Sequence, residues 1–140
     1  MVEFTLAIIK PDAVSKHHSG AIIDQIEKNG FDILHLEKGY ISAELAEEFY
    51  AEHKEKPFFK ELVSFISSGP SIIMMLKKES GVKAWRDLMG ATDPAQAAPG
   101  TLRHQFGTNI GENAVHGSAS LDDAMREIMI FFPDLAPESD

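Results

Sequence analysis

The chain has 140 residues, 44% of them hydrophobic, which fits one globular domain over residues 1–140 with a single core. It contains no cysteine, which excludes disulfides and thiolate metal sites and suits a reducing cytoplasm. The formal net charge of -9 argues against binding nucleic acid through the phosphate backbone. Because the N-terminal apolar run is too short for a signal peptide or a membrane span, we expect a cytoplasmic protein without a membrane partner.

Short apolar runs alternate with segments of helical spacing along most of the chain, and Gly, Pro and Ser mark their ends. In chain order, the elements predicted are a strand at 4–9 ended by Lys10-Pro11-Asp12, a helix between Gly20 and Gly30, a strand at 31–40, a helix capped by Ser42, a helix opened by Pro57 and ended by Ser68-Gly69-Pro70, a strand at 71–76, a helix capped by Ser80 and stopped by Gly90, a loop at 91–113, a short strand around Ala114 and Val115, and a helix at 121–131. A polar, loosely held tail is expected at 133–140.

This order predicts an α+β fold of the ferredoxin-like βαββαβ type. Its core is a four-stranded antiparallel sheet covered by helices, with an extra C-terminal helix and a long loop near residues 91–113. We expect the helices to cover one face of the sheet. Because all the strands are apolar, the other face is expected to be partly hidden as well, by another subunit.

One histidine has a setting that suits nucleophilic chemistry. His116 lies in a predicted turn of small residues, and Ser118 and the helix residue Glu127 follow it. A neutral imidazole can attack with one nitrogen when a carboxylate holds the N–H of the other, and a hydroxyl can hold that carboxylate. Glu127 is expected on the outer part of its helix. The pattern predicts a catalytic group of these three residues.

Basic residues in and before the long loop favour phosphate binding. The planar guanidinium groups of Arg86 and Arg103 could each donate two hydrogen bonds to phosphate oxygens, and the Thr92 hydroxyl could add another. The chain lacks both a P-loop motif and a Gly-x-Gly-x-x-Gly motif, which excludes those two phosphate loops.

Several motifs occur together in one order, within a resemblance that covers at least 125 of the 140 residues. They are Ile9-Lys10-Pro11-Asp12, Glu55-Lys56-Pro57-Phe58-Phe59, Ser68-Gly69-Pro70, Leu88-Met89-Gly90-Ala91-Thr92, Pro99-Gly100-Thr101-Leu102-Arg103 and Asn113-Ala114-Val115-His116-Gly117-Ser118. In this combination the chain resembles the nucleoside diphosphate kinase family from end to end.

The resemblance implies that a γ-phosphate moves from a nucleoside triphosphate to a nucleoside diphosphate by a ping-pong mechanism with low base selectivity. It implies a phosphohistidine at His116, Mg²⁺ carried by the nucleotide phosphates rather than by protein ligands, and a homo-oligomer, a dimer-based tetramer or hexamer. The other roles that it implies are ribose contacts from Lys10 and Asn113, phosphate contacts from Arg86, Thr92 and Arg103, base contacts from Phe58 and Ile110, a place near the histidine for Tyr50, and orientation of the histidine by Glu127 and Ser118.

The chain departs from the family pattern at three positions. Ala119 stands where an acid usually follows His-Gly-Ser, and His104-Gln105 replaces a small residue and an acid. These changes remove negative charge near the pocket and leave open how the loop is anchored. Two other readings stay open: a nucleotide-binding module of the same fold without turnover, and an RNA-binding ferredoxin-like domain, which the acidic charge and aliphatic strands disfavour.

Overall fold

A computed structural model describes residues 1–135 of the chain. Its helices and strands alternate in the order expected for the fold class, with two additional short helices. They are β1 (Val2–Ile9), α1 (Pro11–Ser15), α2 (Ser19–Lys28), β2 (Asp32–Tyr40), α3 (Ala43–Phe49), a single 3-10 turn (Ala51–His53), α4 (Phe59–Ile66), β3 (Pro70–Glu79), α5 (Gly81–Met89), α6 (Leu102–Phe106), β4 (Val115–Gly117) and α7 (Leu121–Phe131).

The strands form one four-stranded sheet in the order β2-β3-β1-β4, and every neighbouring pair is antiparallel. This order confirms the ferredoxin-like plan. The central strand β1 lies between β3 and β4, so both faces of β1 need cover. Ala7 and Ile9 point to one face, whereas Leu6 and Ile8 point to the other, and all four are fully buried.

Helices pack on both faces of the sheet, which corrects the expectation that they cover only one. One core joins Ala7 and Ile9 to apolar residues of α1, α2, α5 and α6. The second core joins Leu6 and Ile8 to residues of α3, α4 and α7. The second face therefore obtains its cover from within the chain, because the connection between β2 and β3 and the C-terminal helix both fold back over β1 and β3.

Three local expectations change in the structure. Pro11 ends β1 as expected, but it also opens α1, since its fixed φ and missing N–H suit the first helical position. The loop at 91–113 contains the short helix α6. The strand expected around Ala114 starts instead at Val115, because Ala114 has a φ of 77° and cannot continue the ladder.

Two serines were expected to cap helices, and only one does. The Ser42 hydroxyl accepts the Leu45 N–H at 3.1 Å and caps α3. Ser80 precedes α5 with a φ of 50° and makes no side-chain cap. The Glu3 carboxylate instead accepts the Val82 N–H at 3.1 Å, so β1 provides the acceptor for this helix end.

The chain past the last helix is described only in part. Phe132 is buried in the second core, and residues 133–135 form an exposed turn. Residues 136–140 of the tail expected to be loosely held lie outside the described residues. Within residues 1–135, no helix combines the length and the apolarity needed to cross a membrane.

Gly117 offers a test of the packing around β4. A Cβ added there would overlap the buried Trp85 ring and the Met89 methyl group. We expect Gly117→Ala to lower the free energy of unfolding by about 1–3 kcal/mol, as overpacking of a dense core does. Urea denaturation measures this change. Gly20→Ala is the matched control, since nothing lies within 4 Å of a Cβ at Gly20; an equal loss in both variants would contradict the packing argument.

Candidate active site

His116 lies at the centre of β4, and the register of that strand sets the direction of its ring. It pairs with Ile8 of β1, whereas Val115 and Gly117 pair with Ile9 and Ala7. Paired residues share a face, so the ring points to the side covered by α3 and α7. The backbone behind it is held as well, since Trp85 Nε1 donates to the His116 carbonyl at 3.1 Å. The sequence had suggested that the histidine lies in a turn. In the structure it is part of the sheet.

Glu127 holds one nitrogen of the His116 ring. Glu127 Oε1 lies 3.0 Å from His116 Nε2 and accepts the Ser118 hydroxyl at 2.8 Å. A carboxylate has no proton to donate, so Nε2 carries the N–H and Nδ1 keeps its lone pair. Glu127 is buried on the inner side of α7, which corrects the expectation that it lies on the outer part. Ser118 is buried as well, and the Leu6 N–H of β1 donates to its hydroxyl at 3.4 Å.

Two aromatic rings of the α3 end flank the histidine. The Phe49 ring meets the imidazole edge-on, with 4.8 Å between centroids, and Tyr50 lies 4.7 Å from Phe49. Burial raises the pKa of Tyr50 to about 12, and the negative charge of Glu127 contributes to the same shift. The Tyr50 hydroxyl therefore keeps its proton at neutral pH and can act as a hydrogen-bond donor.

Lys10 and Asn113 form a second polar group in the lining of the same cavity. Lys10 Nζ donates to Asn113 Oδ1 at 2.9 Å and to the Gly111 carbonyl at 3.3 Å. Asn113 in turn donates to the Thr92 carbonyl at 3.0 Å, which ties both ends of the long loop together. Both side chains are buried. Desolvation lowers the pKa of Lys10 to about 8, although the nearby Asp12 opposes that shift.

The two arginines occupy different environments. Arg103 is buried and donates to the Gly90 and Val115 carbonyls, each at 3.0 Å, so it braces β4 from the loop. Burial lowers its pKa to about 10, with a further contribution from the charge of Arg86. Arg86 is exposed, and its Nη1 donates to the Ala119 carbonyl at 3.1 Å.

The mouth of the cavity carries apolar side chains. Phe58 is 43% exposed and Ile110 is 61% exposed, so each presents a surface that a flat ring can cover. His53 also lines the cavity, with its ring 5.7 Å from that of Phe58. No sequence signal singles out His53, because it occurs in a charged segment without a recognisable partner.

All these features surround one cavity of about 830 Å³. The residues named in advance that line it are Lys10, Tyr50, Phe58, Arg86, Thr92, Arg103, Ile110, Asn113 and His116. Glu127 and Ser118 lie behind His116. The lining carries three cationic side chains and a single carboxylate, Asp87, and the described residues contain no group of three His, Asp or Glu side chains that could hold a metal. These donors suit phosphate groups rather than a protein-built metal site.

The departures at 104, 105 and 119 leave the loop anchored. Gln105 donates to the Gly100 carbonyl at 2.9 Å and exchanges amide hydrogen bonds with Gln25 of α2 at 3.0 Å. Ala119 contributes its backbone carbonyl to Arg86, a contact that needs no side chain. Neutral hydrogen bonds therefore anchor the loop in this chain.

An imidazole with one free nitrogen and three cationic side chains that suit phosphate groups line one cavity of nucleotide size, which is the arrangement expected of a nucleotide phosphotransferase. A model of the family described as nucleoside diphosphate kinase matches residues 3–136. Nucleoside diphosphate kinases of Wolinella succinogenes and Chlamydia abortus are 54% and 53% identical over 131 residues, which cover 94% of this chain and 96% and 93% of theirs. The chain belongs to the nucleoside diphosphate kinase family.

Solved structures of the family superimpose on the whole fold. The Aquifex aeolicus nucleoside diphosphate kinase matches with a TM-score of 0.94 at 43% identity, over 99% of this chain and 100% of that one. A halophilic nucleoside diphosphate kinase from Halobacterium salinarum, in complex with CDP, matches with a TM-score of 0.92 at 41% identity, over 100% of this chain and 94% of that one.

The protein is therefore an enzyme that transfers the γ-phosphate of a nucleoside triphosphate to a nucleoside diphosphate, by a ping-pong mechanism through a phosphohistidine. Catalysis in this family generally needs a divalent cation.

Lys10 predicts a pH dependence of nucleotide binding. With a pKa of about 8, its ammonium is charged below that pH and is lost above it, so attraction for the anionic nucleotide weakens as pH rises. Between about pH 7.5 and about pH 9.5 we expect the dissociation constant of a nucleoside diphosphate to rise roughly five- to tenfold. Calorimetric titration measures it. Lys10→Arg stays charged throughout and should give a flat profile; a parallel rise in that variant would assign the effect to another group.

Proposed function

We propose that His116 is the residue that carries the phosphate, with Nδ1 as the attacking atom. The observation that supports this most directly is the hydrogen bond between Nε2 and Glu127, because it commits one nitrogen and leaves the lone pair on the other. In the first half-reaction Nδ1 bonds to the γ-phosphorus while the bond to the bridging oxygen breaks, and the nucleoside diphosphate leaves. The second half-reaction runs the same step in reverse with another diphosphate.

The placement of the nucleotide follows from the chemistry along the cavity. We assign the ribose hydroxyls to Lys10 and Asn113, whose amine and amide are held together in the cavity wall. The phosphates are assigned to Arg86, Thr92 and Arg103, which line the same cavity as that group and His116. The base lies between Phe58 and Ile110. These two side chains offer contact surface and no hydrogen bonds to base edges, which accounts for low base selectivity.

The proposed transition state develops charge at two places. Negative charge on the transferring group is stabilised by the guanidinium groups of Arg86 and Arg103. Positive charge on the imidazole ring is stabilised by Glu127, which Ser118 keeps in place. Tyr50 provides a protonated hydroxyl at the same wall of the cavity. Together these groups favour in-line transfer without a large movement of the protein.

We further propose Mg²⁺ as the divalent cation, held by phosphate oxygens of the nucleotide rather than by protein ligands. When it arrives with the nucleotide, Mg²⁺ would neutralise part of the phosphate charge. The cationic lining and its single carboxylate, Asp87, suit a metal that arrives with the nucleotide. Removal of divalent ions with EDTA should stop turnover, and Mg²⁺ should restore it; full activity in EDTA would contradict the assignment.

We also propose a single kinase domain over residues 1–140 that acts in the cytoplasm as a homo-oligomer, a dimer-based tetramer or hexamer. The edge strand β2 supports assembly, because it exposes Leu34, Leu36 and Tyr40 at 39%, 44% and 72%. An exposed apolar edge strand is a natural surface for pairing with a second copy about a two-fold axis. Light scattering measures the mass in solution, and a monomer would contradict this assembly; cell fractionation tests the compartment.

His116→Ala should abolish phosphate transfer while nucleotide binding stays largely intact, because the nucleophile acts in the chemical step. Incubation with γ-labelled ATP should give an acid-labile, alkali-stable label on the natural chain and none on the variant. The exposed His104 provides a matched control, and His104→Ala should keep the label. Turnover above roughly a hundredth of the natural rate in His116→Ala would remove His116 as the nucleophile.

The roles of Glu127 and Ser118 predict an order of damage. Glu127→Gln keeps the size but removes the charge that fixes the tautomer, so turnover should fall roughly 10- to 1,000-fold. Ser118→Ala acts one step further out and should cost less. Because both residues are buried, thermal unfolding must be measured alongside kcat. A larger loss in Ser118→Ala would show that the serine contacts the phosphate directly.

A further inference from the structure

A strained turn connects two polar groups of the active site, the Lys10–Asn113 pair and His116. Residues 113–115 form a γ-turn in which the Val115 N–H donates to the Asn113 carbonyl at 2.9 Å. Its central residue, Ala114, has a φ of 77° and a fully buried side chain. This kind of turn is rare and strained, and a residue with a Cβ adopts it only where the surroundings hold it. Asn113 lies immediately before Ala114, and His116 lies two residues after it.

The segment that ends β1 holds Ala114 on both sides of its backbone. Asp12 Oδ2 accepts the Ala114 N–H at 3.1 Å, and the Lys10 N–H donates to the Ala114 carbonyl at 2.8 Å. These two bonds fix both peptide planes that meet at Ala114. Only the bond to Asp12 involves a side chain, so it is the one of the two that a substitution can remove.

Burial of the Asp12 carboxylate at this position costs free energy of folding. It is buried, and its Oδ1 has no hydrogen-bond partner among the residues that the structure describes. Burial raises the pKa of this carboxyl group, although the charge of Lys10 and the Ala114 N–H oppose the shift. An apolar side chain would avoid this cost, so packing alone does not explain a carboxylate here. Apart from its own backbone N–H, the described hydrogen-bond donor to this carboxylate is the Ala114 N–H.

We propose that Asp12 is a positioning residue for phosphate transfer, which acts by holding Ala114 in its left-handed conformation. With the turn fixed, β4 starts at Val115 and His116 pairs with Ile8, which directs the imidazole towards Glu127. The same turn presents Asn113 to Lys10. Asp12 thus sets the distance between the ribose-binding and the phosphate-accepting groups of the cavity. This inference rests on the proposed role of His116.

Three variants separate this role from the others that Asp12 could have. Asp12→Ala removes the acceptor, whereas Asp12→Asn removes the charge but keeps an oxygen that can accept the Ala114 N–H. Ala114→Gly makes the positive φ accessible without strain, so the turn needs less support. Ser42→Ala is the stability control, because it also deletes a side-chain acceptor of a backbone N–H, but in the α3 cap. Single-turnover formation of the His116 phosphate and nucleotide dissociation constants are measured for each.

We expect Asp12→Ala to slow phosphorylation of His116 about 10- to 100-fold, since small misplacements of a reacting atom have effects of that size. Asp12→Asn should recover most of the rate, and Ser42→Ala should change it less than twofold. In the Ala114→Gly background, the loss caused by Asp12→Ala should shrink at least about threefold. Equal losses in the two backgrounds would overturn the proposal, and so would an Asp12→Asn variant as slow as Asp12→Ala, which would assign Asp12 to the charge of Lys10 instead.

The same measurements separate this inference from the proposed function. If the natural chain carries its label at a residue other than His116, the proposed nucleophile fails whatever Asp12 does. If the label is on His116 and Asp12→Ala forms it at the natural rate, the nucleophile stands and the positioning role is wrong.

Discussion

The active site depends on the register of β4, a strand of only three residues. A shift of one residue against β1 would exchange the two faces, because side chains alternate along a strand. His116 would then point towards α5, and Val115 would face Glu127. The strand is too short to fix its own register through three pairs. Hydrogen bonds from other elements supply the remaining restraint on the register. Arg103 donates to the Val115 carbonyl, and Trp85 donates to the His116 carbonyl.

Strong local signals made most of the fold predictable from the sequence. Short apolar runs located the strands and apolar residues at helical spacing located the longer helices, and Ser42 and Gly90 marked real helix ends. The short helices α1 and α6 were missed, since five residues carry too little periodicity. The start of β4 was misplaced because a positive φ at Ala114 leaves no trace in the residue type, an alanine where glycine or asparagine is usual.

The candidate site was predictable as a set of residues but not as a geometry. Motif resemblance named nine of the residues that line the cavity and both residues behind the histidine. It could not show that Glu127 faces inward, because a charged helix residue usually lies on the solvent side and the direction of α7 is set by packing against β1. Asp12 accepts the backbone N–H of Ala114, and Trp85 donates to the backbone carbonyl of His116. Contacts of side chains with distant backbone atoms have no sequence pattern.

The electrostatics of the cavity run against the charge of the whole chain. The net charge is -9, yet three cations line one cavity beside one carboxylate. Burial lowers the pKa of Lys10 to about 8 and that of Arg103 to about 10, so the folded chain holds these charges at a cost. For Lys10 the unfolded chain binds the proton more tightly, so this group favours folding more as pH rises from about 8 towards its ordinary value of 10.5. Below pH 8 the cost is present in full, and an anionic phosphate in the cavity offsets it. These buried cations therefore lower the stability of the ligand-free fold. In return, their hydrogen-bond donors are already in place when the phosphate arrives.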